Sequence, residues 1–145
     1  MPQELPLRII LVHPPQGVNF CVQRGKADLL PPSQISDDTL TFDLTVRVGA
    51  PQANGMPNLL GPFTQGTVAD RFVYVNAGTL AGQLDSPWTR RIKVKLAGIT
   101  QAMIEEVLAM PGALLEARIQ GTAKDGGPVA ASVPLLGAGW QVVTD

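Results

Sequence analysis

The run TLTFDLTVRV, Thr39 to Val48, alternates without a break. Leu40, Phe42, Leu44, Val46 and Val48 fall on one side of an extended chain, and Thr39, Thr41, Asp43, Thr45 and Arg47 on the other. A period of two sustained this long predicts a strand with one packed face and one wet face, and such a strand must find a sheet. RRIKVKL repeats the pattern: Ile92, Val94 and Leu96 share a face with Arg90, opposite Arg91, Lys93 and Lys95. The cation row is then the solvated side of a strand, where lysines also discourage edge-to-edge aggregation.

LRIILVH (Leu7 to His13) and VNFCVQ (Val18 to Gln23) are β-rich runs joined by PPQG, which predicts a hairpin. RFVYVN, ALLEARIQGT and a short WQVV add further strands. Residues 24–38 read as a loop. Gly49 to Asp70 carries no convincing period and reads as a long loop, a class that includes binding loops and lids. One helix is signposted over Gln101 to Met110. Thr100 is its N-cap, Ile99 and Ile104 form a staple, and Met103, Ile104, Val107 and Leu108 make the apolar stripe. Pro111-Gly112 ends it. The expected fold is mainly β (α+β): about seven mostly antiparallel strands in a sandwich or partly open barrel, with one packed α-helix whose place between two strands permits one parallel crossover.

At 145 residues the chain has the length of a single domain, 1–145, and its 45% hydrophobic content can build a core without a staple. Its one cysteine forbids an intrachain disulfide. Eleven Lys and Arg against twelve Asp and Glu leave no excess charge to draw nucleic acid or an anionic membrane. No apolar run is long enough to span a bilayer, and the N-terminus lacks the basic start, apolar stretch and small-residue cleavage site of a signal peptide. The expectation is a soluble, cytoplasmic protein.

VHPPQGVNFCVQRG, GPFTQG, RFVYVNAGTLAGQ, SPWTRRIKVKL and LEARIQGTAKDGGPV together resemble the bacterial family known as domain of unknown function 5990, over nearly the whole chain. The resemblance implies a compact domain. It implies no activity, cofactor or catalytic residue.

The residues themselves remove several chemistries. His13 is the only histidine, and no carboxylates cluster at ligand spacing around it, so no metal site and no cofactor is implied. In a symmetric hairpin Cys21 would oppose Ile10 while His13 opposed Val18, about 10 Å apart along the ladder, too far for a nucleophile and its base. NAGTLAGQ lacks the Gly-Lys-Ser/Thr ending of a phosphate loop, GAGW is only a GxG, and there is no GxSxG. No catalytic residue is assigned.

Arg71 and Arg90 begin strands, Arg90 just after Trp88, and a guanidinium with an indole beside it suits carboxylate or phosphate oxygens. The structural alternative pairs these arginines with Asp43, Asp70 or Asp85. The leading expectation is a non-enzymatic module holding a small anionic or polar ligand at a sheet end, through Arg71, Trp88 and Arg90, under the 49–70 loop. A structural or interaction protein is the alternative. It would form a homo-oligomer or bind a protein partner through Arg91, Lys93 and Lys95 or through Met56, Leu59, Leu60 and Phe63. An enzyme without a recognisable motif, built on Arg90 beside Asp70 or Asp85, ranks third.

Overall fold

The computed structural model of the chain describes residues 3–14, 20–25, 28–61, 63–65, 71–77, 91–121, 135–137 and 139–144. In chain order the elements are β1 (Gln3–Val12), β2 (Phe20–Gly25), β3 (Asp28–Leu30), β4 (Gln34–Ile35), β5 (Thr39–Val48), β6 (Leu59–Gly61), β7 (Thr64–Gln65), β8 (Arg71–Ala77), β9 (Arg91–Lys95), the helix α1 (Gln101–Ala109), β10 (Ala113–Gln120) and β11 (Gln141–Thr144). The first sheet runs β11-β10-β1-β5-β4, with β6 also on β5; the second runs β3-β2-β8-β7, with β9 also on β8. Neither closes into a barrel. Every pairing is antiparallel except β1 with β10.

The run Thr39–Val48 is β5, as its alternation predicts, and it lies against all of β1 without a register break, Gln3 opposite Val48 through Val12 opposite Thr39. On its other edge β1 runs parallel to β10, Leu7 beside Leu115 through Val12 beside Gln120. Both edges of β1 are therefore occupied. This overturns the expected hairpin through PPQG: a chain leaving β1 has no edge to return to, and β2 instead pairs with β3 and β8 in the second sheet. The parallel neighbour also differs from expectation. The helix carries the chain from β9 in one sheet to β10 in the other, and β10 finds its parallel partner in β1, not in the strand before the helix.

The two sheets share one core. Leu5, Leu7, Ile9 and Leu11 of β1, Phe42, Leu44 and Val46 of β5, and Leu115, Ala117 and Ile119 of β10 meet Phe20, Val22, Val73, Val75, Ile92 and Val94 of the second sheet. Ile92, Val94 and Leu96 are buried, as their alternation predicts. Lys95 is exposed, and Lys93 is half-buried with its Nζ 4.3 Å from the centre of the Phe72 ring. Trp140, buried before β11, donates its indole N–H to the Lys95 carbonyl at 3.0 Å and ties the last described segment to the end of β9.

The helix follows its sequence signals. Thr100 Oγ1 accepts from the Met103 N–H at 3.2 Å, and Ile99, Ile104 and Val107 are buried. Leu108, expected on the buried stripe, stands at the exposed rim. The two stretches read as loops contain strands: β3 and β4 lie within 24–38, and β6 and β7 within 49–70. Each is two or three residues long, too short for a period to register. No described helix is long and apolar enough to cross a membrane.

Thr100 closes one of the open donors at the start of the helix, so Thr100→Ala should lower stability by about 1 kcal/mol. Urea denaturation should show an earlier midpoint with an unchanged m-value. An unshifted midpoint would mean the cap carries no load.

Candidate ligand-binding site

The segment after β5 is a hairpin extended beyond the sheet. β6 pairs back on the end of β5, with Val48 opposite Leu59 and Arg47 opposite Gly61. Beyond that pair the two arms stay linked, the Gly49 N–H donating to the Asn58 carbonyl at 2.9 Å and the Gln52 N–H to the Met56 carbonyl at 3.0 Å. At the tip the Gly55 N–H reaches back to the Gln52 carbonyl, and Gly55 takes a left-handed φ of 83°. That is a three-residue hairpin loop with glycine in its αL position. Two side chains stiffen it: Asn54 Oδ1 accepts from the Met56 N–H, and Gln52 Nε2 donates to the Pro57 carbonyl, both at 3.0 Å. The Asn-Gly pair was the local signal for this turn.

β7 follows β6 within a few residues but pairs with β8, so here the chain passes from the first sheet to the second. Gly61, at a left-handed φ of 107°, stands at this corner. The crossing brings the hairpin over one end of β8. Arg71 is the first residue of that strand and shares the parity of Val73 and Val75, which face the core. Its carbonyl accepts from the Leu96 N–H at 2.9 Å, fixing it beside the end of β9. A guanidinium is thereby rooted on the inward face at the open end of two sheets.

A cavity of about 300 Å³ lies there, between Gln52, Asn54, Met56, Pro57 and Leu59 of the hairpin and Arg71, Leu96, Ala97 and Ile99 of the second sheet and its exit turn. Its described wall is mainly hydrocarbon, with two amides and one guanidinium, and includes no carboxylate. Arg71 Nε is sealed from solvent and has no hydrogen-bond partner among the described residues. The guanidinium carbon lies 5.8 Å from the centre of the Phe63 ring, at the outer limit of a cation–π contact. A buried N–H without an acceptor costs about 1–3 kcal/mol, more on a charged group. An anion entering this cavity meets a cation already stripped of part of its hydration.

Of the three residues singled out in sequence, Arg71 lines this cavity, while Trp88 and Arg90 lie outside the described residues. The register sets Arg91 opposite Asn76, at the other end of β8 from Arg71. Asp43 is engaged elsewhere: it pairs with Arg8 Nε at 2.9 Å on the outer face of the first sheet and accepts from Ser33 Oγ at 2.8 Å. Asp70 and Asp85 lie outside the described residues. The ring beside Arg71 belongs to Phe63, inside the GPFTQG motif. Phe63, Gln52 and the Leu96–Ile99 turn carry no catalytic-looking signature, and only tertiary pairing brings them to Arg71.

The remaining candidates separate. His13 follows the last residue of β1 in the first sheet, with a left-handed φ of 54°, and Cys21 lies in the second sheet opposite Asn76. The ladder that would have aligned them does not exist. Cys21 is buried, and burial pushes its thiol above the ordinary range. The apolar set proposed for a partner divides too: Leu59 is buried and Phe63 packs against the core, while Met56 and Leu60 are 56% and 42% exposed. Among the described residues no group of three or more His, Cys, Asp or Glu is placed to hold a metal ion.

The chain belongs to the family of unknown function DUF5990, whose match spans residues 5–143. No curated protein and no solved structure matches it.

The raised thiol pKa of Cys21 fixes a sign. The unfolded chain releases this proton first, so the buried thiol contributes nothing to pH dependence below the ordinary thiol range and weakens the fold as pH climbs above about 8.5. Over that window the unfolding free energy of the parent should fall more steeply than that of Cys21→Ala. Parallel slopes would show the thiol to be solvated.

Proposed function

We propose that this chain is a non-enzymatic module that holds a small anionic ligand at the open end of its two sheets, with Arg71 as the anchor. The observation that carries the reading is the half-buried Arg71, whose Nε–H has no acceptor among the described residues, in the wall of a cavity whose described lining includes no carboxylate. A buried N–H left unpaired destabilises the fold, and an anionic ligand that accepts from it removes the penalty. The lining supplies a cation, amides and hydrocarbon, which suits holding a molecule more than transforming it. Trp88 and Arg90 stay in the proposal on sequence grounds, as further contacts whose share is read by Arg90→Ala. A single cysteine, buried and unpaired, suits a reducing compartment, and the cytoplasm is the proposed location.

A second reading has one observation behind it. Met56 and Leu60 stand exposed on and beside the hairpin, and such residues are covered when a second copy or another protein docks there. Sedimentation of the purified chain across a wide concentration range separates the two. A monomer throughout removes the homo-oligomer.

The direct test is thermal unfolding of the full chain with small carboxylates and phosphates, at low and high salt. A ligand at 100 times its Kd adds about 2.7 kcal/mol, a rise in Tm of roughly 5–10 °C for a chain of this size. Arg71→Met keeps most of the stem packing and removes the charge and the unmatched donor. It should abolish the rise while melting, without ligand, at or above the parent temperature. A parent that responds to no anion, or a variant that responds equally, would contradict the assignment.

A further inference from the structure

Resting on Arg71 as the anion anchor, we infer that the ligand class is a monocarboxylate with a compact apolar body, and not a phosphate, a sugar or a nucleotide. Charge comes first. The described lining holds one cation, Arg71, and no carboxylate, so a single negative charge is what the described wall neutralises; Arg90, a contact proposed on sequence grounds alone, is counted outside it. A phosphate monoester brings about −1.5 to −2 at neutral pH and would leave charge uncompensated among hydrocarbon walls.

The geometry of the donor comes second. The Nε–H is the guanidinium donor without an acceptor. A carboxylate that docks along the edge of the fork takes one Nη–H and, once the sealed Nε–H turns toward the cavity, that donor too, two parallel bonds to two oxygens of one plane. Met56, Pro57 and Leu59 on the hairpin and Leu96, Ala97 and Ile99 across from it then face whatever the carboxylate is attached to. That surface rewards carbon and penalises hydroxyls. The two amides in the wall are partly spent within the hairpin, Gln52 Nε2 on the Pro57 carbonyl and Asn54 Oδ1 on the Met56 N–H. Too few donors and acceptors remain to match the hydroxyl ring of a sugar.

Size comes third. A cavity of about 300 Å³ stands at the lower end of small-molecule sites, which run from about 300 to 1,000 Å³. A nucleotide needs the upper part of that range. Met56, exposed on the hairpin, is an unbranched thioether that adapts its shape to an aliphatic body beneath it.

The test is an NMR chemical-shift titration of the full chain with isovalerate, its uncharged amide isovaleramide, acetate and inorganic phosphate, repeated on Arg71→Met and Arg71→Lys. Isovalerate should saturate a set of shifts around Arg71, Leu96 and Met56. Each buried methylene is worth about fourfold, so its three extra carbons should make it on the order of fiftyfold tighter than acetate. Isovaleramide should show no saturable binding. Arg71→Met should lose the response, and Arg71→Lys, which keeps the charge but not the fork, should bind at least about tenfold more weakly.

Acetate binding as tightly as isovalerate, or phosphate binding more tightly, in an Arg71-dependent way, would overturn the ligand class while leaving the anion module standing. Arg71→Lys binding isovalerate like the parent would overturn the edge-on fork. No Arg71-dependent binding of any of the three anions would overturn both the class and the module.

Discussion

β1 is held from both sides, antiparallel to β5 along its whole length and parallel to β10 from Leu7 to Val12, and the remaining architecture depends on that double pairing. Its inward residues Leu5, Leu7, Ile9 and Leu11 are essentially without solvent contact. Burying a side chain of this kind is worth about 1.5–3 kcal/mol, against a net stability of about 5–15 kcal/mol for an ordinary domain. Losing two of them would consume a large part of the margin. A strand so placed cannot lend an edge to the segment that follows it, so the chain must build a second sheet. β2, β8 and β9, with the short β3 and β7, are that sheet, closed over the same core.

The candidate site is a by-product of this division. The chain passes between the sheets at the Gly61 corner, and the passage brings the extended β5–β6 hairpin over the end of the strand that begins with Arg71. Rooting an arginine on an inward-facing position, with an Nε–H that no described group accepts, runs against the rule that buried polar groups are satisfied. Local violations of that rule concentrate where a ligand supplies the missing partner. The same two sheets leave the lysines of β9 on the outer face, with Lys93 over the ring of Phe72 and Lys95 in solvent. The described lysines of β9 thus both stand opposite its buried Ile92 and Val94.

Local signals were readable wherever the structure they encode is local or long. The alternation of Thr39–Val48 and of Ile92–Leu96, and the Thr100 cap with its buried Ile104 and Val107, needed no tertiary knowledge. The β1–β2 hairpin was misread because the real partners of β1 lie far along the chain, at Thr39–Val48 and Leu115–Gln120. No spacing rule reports a competition for edges. Strands of two or three residues leave no period, which hid β3, β4, β6 and β7 and made an ordered hairpin look like a structureless loop. Within the site, Arg71 was legible as a cation at a strand start. Phe63, Gln52 and Ile99 were not, since they reach it only after the chain has crossed from one sheet to the other.

The most direct measurement is the side-chain Nε–H resonance of Arg71 in a ¹H–¹⁵N spectrum of the full chain, assigned by its loss in Arg71→Met. A donor sealed in the cavity wall predicts slow hydrogen exchange in the free protein and a downfield move when isovalerate is added. Exchange as fast as that of a free arginine, with a resonance that stays in place at saturating anion, would contradict the buried anchor on which the account rests.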